Sequence, residues 1–161
     1  MIERPSCKIA VILERKPVES RWQSHQWLVR AVLPDPGGER RVLADTPESL
    51  EVLFPGFNAT LFEDEAEGHF LNVSTEEPSV FVALRTPEGG GDPWPLQVTL
   101  SYNEAARWMD GGEVVERVPM WRELAEWMAA WVEVHYKPEP RKRRKPRSFD
   151  GLGELREKKL S

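Results

Sequence analysis

Between Arg141 and Arg147 the chain places six cations in seven positions, interrupted by one proline, and this run limits how much of the sequence can fold. Like charges at that density repel and keep a segment extended and solvated. Residues 137–161 hold ten Lys and Arg against four Asp and Glu, while residues 1–136 hold twelve against twenty-three. A basic tail of +6 therefore follows an acidic body of −11. The globular unit is expected to be residues 1–136, with residues 137–161 as a disordered tail. A body of that size suits a single domain. The seven tryptophans all precede residue 137 and bring large buried areas to its core.

Cysteine usage and hydropathy point to a compartment. Cys7 is the one cysteine, so an intrachain disulfide framework is excluded and a reducing cytosol fits. Met1 to Pro5 has no charged region leading into an apolar run, which predicts no signal peptide. The apolar stretch Ile9–Leu13 is far too short to span a bilayer. The expectation is a cytoplasmic protein without a membrane partner.

Short strands dominate the pattern. Residues 7–15 read as a strand with Ile9, Val11 and Leu13 on one face and Ala10 and Ile12 on the other, hence central and covered on both sides. Residues 26–33 form a second strand, stopped by Pro34-Asp35-Pro36-Gly37-Gly38, a turn by its chemistry. Residues 39–44 return as a third. Pro47 and Pro55 break up the next stretch, and residues 57–63 give a fourth. Glu63 to Gly68 reads as an acidic loop or a single helical turn. Residues 79–85 are a fifth strand. In the sixth, residues 96–102, Leu96, Val98, Leu100 and Tyr102 alternate inward against Gln97, Thr99 and Ser101, the mark of a sheet with one wet face. Asn103 caps a short helix over 103–109.

One long helix closes the body. Pro119 suits its first turn. Over residues 120–136, Met120, Trp121, Leu124, Trp127, Met128, Trp131, Val132, Val134 and His135 fall within an arc of about 160°. An arc that wide buries itself across a sheet. The predicted architecture is α+β: an antiparallel sheet or partly open β-barrel of about six strands, closed by one long C-terminal helix, with pleckstrin-homology-like barrels as the analogy.

Chemistry is harder to find. His25, His69 and His135 share no metal-ligand spacing, and His135, on the apolar helix face, reads as a satisfied core histidine. Cys7 has no local cue for a lowered pKa and reads as a small buried hydrophobe. Glu63, Asp64, Glu65 and Glu67 lack calcium-loop spacing and read as a solvated acidic loop. Gly89-Gly90-Gly91 lacks the Lys-Ser/Thr of a phosphate loop and reads as a flexible turn. No catalytic residue, metal or cofactor is assigned.

Partner binding has better candidates. The loop 14–27 is dense in the residue types that dock partners, and Arg15, Arg21 and Trp22 form its candidate patch. The competing reading packs Trp22 and Trp27 against the helix tryptophans. In the tail, Arg141, Lys142, Arg143, Arg144, Lys145 and Arg147 make an arm for a protein with an acidic surface, or a merely solvating terminus. Nucleic acid is disfavoured, because the acidic body repels phosphates and only Phe149 is interleaved with the cations.

Motifs at both ends carry a resemblance. Val11-Ile12-Leu13-Glu14-Arg15-Lys16, then Trp22, Trp27 and Ala31-Val32-Leu33-Pro34, resemble the start of a proteobacterial family of unknown function. Val118-Pro119-Met120, Trp131-Val132, His135-Tyr136 and the Lys/Arg run resemble its end. Members are typically encoded beside molybdenum-dependent formate dehydrogenase genes, and some are labelled molybdopterin-guanine dinucleotide biosynthesis protein A. The resemblance implies a role around formate dehydrogenase: a non-catalytic accessory or maturation factor with that enzyme as partner. The label implies instead an enzyme of molybdopterin guanine dinucleotide synthesis. Such nucleotidyltransferases are doubly wound and open on a glycine-rich loop, whereas here Glu14-Arg15-Lys16-Pro17 follows the first strand. A nucleic-acid-binding regulator acting through the basic tail is the third reading.

Overall fold

The computed structural model describes residues 4–19, 21–22 and 24–138. The expected tail, with Arg141, Lys142, Arg143, Arg144, Lys145 and Arg147, lies outside the described residues. Seven strands and three α-helices follow in the order β1 (Ser6–Pro17), β2 (His25–Pro34), β3 (Arg41–Thr46), β4 (Ser49–Thr60), α1 (Ala66–Val73), β5 (Ser79–Arg85), β6 (Trp94–Thr99), α2 (Tyr102–Asp110), β7 (Val114–Pro119) and α3 (Arg122–His135). A 3-10 turn, Glu63–Glu65, leads into α1.

The fold is α+β, built on two antiparallel sheets. Four strands run in the spatial order β2-β1-β4-β3 and three in the order β6-β5-β7. The expected antiparallel sheet or partly open β-barrel of about six strands, closed by one long helix, is thus corrected to two antiparallel sheets with three α-helices among the described residues. Each sheet has its most buried strand at or near its centre. Ile9 to Glu14 of β1 are all buried, and so are Ser79 to Leu84 of β5. Ile9, Val11 and Leu13 join the main core with Val80, Val82, Leu100 and the α3 residues Leu124, Met128, Trp131 and Val132. On the opposite face of β1, Ala10 and Ile12 form a smaller cluster with Leu53, so that strand is covered on both sides as its pattern predicted.

Several boundaries differ from the sequence reading. The fourth strand begins at Ser49 and runs through Pro55 rather than starting after it. Pro55 and Gly56 lie in a bulge where Ile9 faces Phe57 and Val11 faces Phe54. The β3 ladder has already ended at Leu53, so the missing proline N–H interrupts little. Gly56 adopts φ 95° there, a conformation glycine tolerates at no steric cost. Asp35 locks the bulge to the turn after β2: its carboxylate accepts the Gly37 N–H at 2.7 Å and the Gly56 N–H at 2.9 Å.

The alternation expected over 96–102 also fails. Leu96 and Tyr102 are exposed, while Thr99 and Ser101 are buried. Two local events cause this. The β5–β6 register shifts between Ala83 and Leu84, and the strand stops at Thr99 so that Ser101 can cap α2. The Ser101 hydroxyl oxygen accepts the Glu104 N–H at 3.1 Å, which moves the helix cap from the expected Asn103 to Ser101.

Pro119 ends β7 instead of opening the last helix, which starts at Arg122. Leu124, Met128, Trp131 and Val132 are buried and Met120, Trp121 and Trp127 pack against the core, as the arc required. Val134 is exposed. His135 is exposed as well, not a core histidine; its Nδ1 meets the Trp131 carbonyl at 2.9 Å and its ring stacks on Trp131 at 4.4 Å.

Candidate functional site

The β1–β2 hairpin carries the residues marked for partner binding. Its strands extend further than the loop 14–27 allowed, β1 running to Pro17 and β2 starting at His25, and the Val18 N–H donates to the Ser24 carbonyl at 3.0 Å. Arg15 is therefore a strand residue. It pairs with Trp27 across the ladder, and its guanidinium lies 5.9 Å from the Trp27 ring centroid. Trp27 packs against the main core. Trp22 does not: it is 89% exposed at the tip, beside an exposed Arg21. Trp27 thus faces the core while Trp22 stands at the surface.

Register extends this surface across the sheet. Trp27 faces Arg15, Arg15 faces Leu50, and Leu50 faces Asp45, so the β1–β2 tip and the tight β3–β4 turn project from the same end. Just inside that end, a bulge between Ile12 and Leu13 leaves Arg30 as the extra residue of β2. Its Nε lies 3.8 Å from Glu14 and 3.4 Å from Glu51. Glu14 is buried, and it also accepts the Ser49 hydroxyl at 2.7 Å.

The acidic stretch after β4 is solvated only in part: Glu63, Asp64 and Glu67 are exposed, while Glu65 is half-buried. Glu65 accepts the Ser101 hydroxyl at 2.6 Å and pairs with Arg107 at 2.6 Å, and Glu67 accepts the Asn103 side-chain amide at 3.0 Å. These carboxylates brace α1 against α2. Inside the brace lie three polar positions that no apolar pattern announces. Gly68 is buried so tightly that a Cβ there would lie 2.0 Å from the Ser101 Oγ. The Asn72 amide donates to the Ser79 carbonyl at 2.7 Å and to the Leu100 carbonyl at 2.8 Å, and its oxygen accepts the Ser79 N–H at 2.9 Å. His69 is fully buried, edge-on to Trp131 at 5.5 Å, and its Nε2 accepts the Phe62 N–H at 3.2 Å. The neutral ring therefore carries its proton on Nδ1, for which no partner meets hydrogen-bond geometry among the described residues. Burial holds the His69 pKa below its usual 6.5, and the Leu100 carbonyl and the carboxylates of Glu65 and Asp64 oppose that shift only in part.

The sheets separate along a second feature that sequence reasoning missed. Past Leu53, β4 has no β3 partner, and β6 pairs only with β5. Between them opens a cleft of about 170 Å³, lined by Asn58, Thr60, Phe62, Gln97, Val98, Thr99, Glu104 and Trp108. On the far side the sheets are joined more closely: the Val29 N–H of β2 donates to Glu116 Oε1 of β7 at 3.0 Å.

Two remaining expectations concern inert groups. Cys7 is half-buried, and desolvation pushes its thiol pKa up, away from reactivity. Among the described residues no group of three or more His, Cys, Asp or Glu is placed to hold a metal ion, and no helix is long and apolar enough to cross a membrane.

Comparison with known proteins adds one assignment. Residues 8–145 match the sequence model of a family described as protein of unknown function (DUF3305). No curated protein and no solved structure matches the chain significantly.

Proposed function

The chain belongs to the DUF3305 family of proteins of unknown function, and from that premise we propose that it is a non-catalytic accessory or maturation factor of a molybdenum-dependent formate dehydrogenase, acting by binding protein. Trp22 carries the reading. A tryptophan 89% exposed on a hairpin tip, next to an exposed arginine, combines the two residue types most enriched where partners dock. The tip also departs in charge from the acidic body. Arg15, Lys16 and Arg21 stand there against Glu14 and Glu19, with Lys16 3.7 Å from Glu14, and the run from Arg141 to Arg147 repeats the positive sign. Both features address an acidic surface, so attraction steers the encounter and weakens as salt rises. The resemblance at the two ends of the chain supplies the identity of the partner.

The label of a guanine-nucleotide enzyme draws no support from the architecture. Every strand pairing in both sheets is antiparallel, unlike the doubly wound arrangement of those nucleotidyltransferases.

The test is co-purification of formate dehydrogenase with tagged full-length protein, wild type against a variant carrying both Arg21→Glu and Trp22→Ala. The wild type is expected to retain the enzyme at low salt, and the variant to lose it by about tenfold or more. Both should melt alike, because the two side chains are exposed. Equal retention by the two proteins, or an enzyme that matures fully without either, defeats the proposal.

A further inference from the structure

We propose that the cleft between β4 and β6 binds a guanidinium group presented by an extended peptide segment of a partner protein. Size is the first argument. At about 170 Å³ the cleft is smaller than the several hundred Å³ that cofactors and drug-sized ligands occupy, and suits a single long side chain. Its walls are the second. Phe62 and Trp108 supply aromatic faces, and arginine is the cation most often found over such faces. Phe62 already holds one guanidinium, that of Arg4, 5.2 Å from its centroid.

Glu104 is the third argument. It is half-buried and lines the cleft. Its Oε1 accepts the Thr99 hydroxyl, and Thr99 in turn accepts the Ser101 N–H at 3.1 Å. Among the described residues its Oε2 has no hydrogen-bond partner and the carboxylate forms no ion pair. By contrast Glu14, Glu51, Glu65, Glu113 and Glu126 each pair with an arginine. A guanidinium offers five N–H donors in a planar fork, which matches one free carboxylate oxygen together with the side-chain oxygens of Asn58 and Gln97 at the exposed rim. The backbone edges are the fourth. Beyond Leu53 the β4 edge and the outer edge of β6 carry no strand partner, so main-chain donors and acceptors flank the cleft on both sides, the setting in which extended peptides add to a sheet.

This site is independent of the β1–β2 tip, and the experiment keeps the two apart. Full-length protein is titrated calorimetrically with an acetylated, amidated hexapeptide carrying one arginine between valines, and with the same peptide carrying citrulline, which has the shape without the charge. The arginine peptide is expected to bind saturably, about tenfold or more tighter than its citrulline counterpart. Glu104→Gln should lose most of that difference, and Gln97→Ala, at an exposed position, should weaken binding without touching the helix cap. The variant carrying Arg21→Glu and Trp22→Ala should bind the peptide as the wild type does. Equal affinity for the two peptides, binding indifferent to both cleft substitutions, or no binding at all overturns the assignment.

Discussion

At the scale of single residues, the most constrained positions are polar or have no side chain. Gly68 lies in an α-helix where alanine would ordinarily be favoured by about 1 kcal/mol. The Ser101 hydroxyl that a Cβ would strike is itself fixed, accepting from the Glu104 N–H and donating to Glu65. It cannot swing aside without undoing the α2 cap. Gly68→Ala is therefore expected to destabilise the protein by about 2 kcal/mol despite its helix propensity, as read by urea denaturation. His69 adds a pH dependence. Its folded pKa lies below the unfolded value of 6.5, so the unfolded chain binds the proton first. The contribution is complete above pH 6.5 and is lost as pH falls from there through the folded pKa. The denaturation midpoint should drop between pH 7.5 and 5.5, and drop less in His69→Gln, which keeps an acceptor for the Phe62 N–H. Equal drops would show that another group controls the transition. None of this was legible in the sequence, because Gly68, His69 and Asn72 produce no apolar stripe even though all three are buried.

At the scale of elements, legibility followed burial. The strand over 79–85 was placed to the residue, since all but its last position are buried and its ends are marked by loops. The last helix was located within two residues because four buried positions recur at helical spacing. The strand at Val114–Pro119 left no such trace. Only Val118 in it is buried, and Glu116 stands where an apolar residue would have announced a core strand. That glutamate has a partner across the sheets, the Val29 N–H. Hydrogen bonds to charged acceptors contribute about 1.5–3 kcal/mol, and Val29 is itself buried. Glu116→Ala should cost about 2 kcal/mol and speed amide exchange at Val29, while Glu116→Gln should restore most of both. An unchanged Val29 amide in the alanine variant would mean that water replaces the carboxylate freely.

At the scale of the whole molecule, strand alternation and turn chemistry foresaw an α+β body rich in antiparallel pairing, and the two sheets bear that out. The candidate docking loop was visible as residue types but not as a shape. That Arg15 stands on a strand over Trp27 while Trp22 projects depends on where β1 ends, which the polar sequence from Lys16 to Gln26 leaves open. The seam cleft could not be foreseen, because it arises where strands fail to pair, and its lining comes from β4, β6 and α2 together. Glu65 was misplaced for a related reason. Local sequence shows a carboxylate as solvated until a distant arginine such as Arg107 is brought to it.

One carboxamide has reach beyond its own helix. Asn72 grips Ser79 at the start of one strand and Leu100 just past the end of the next, so fraying of α1 cannot stay local. Loosening that clasp frees both strands at one end of the β5–β6 pair, the end where Phe81 faces Thr99. Amides on α1 and at that end of β5 and β6 are therefore expected to exchange together in Asn72→Ala, and independent exchange would show that the side chain does not couple them.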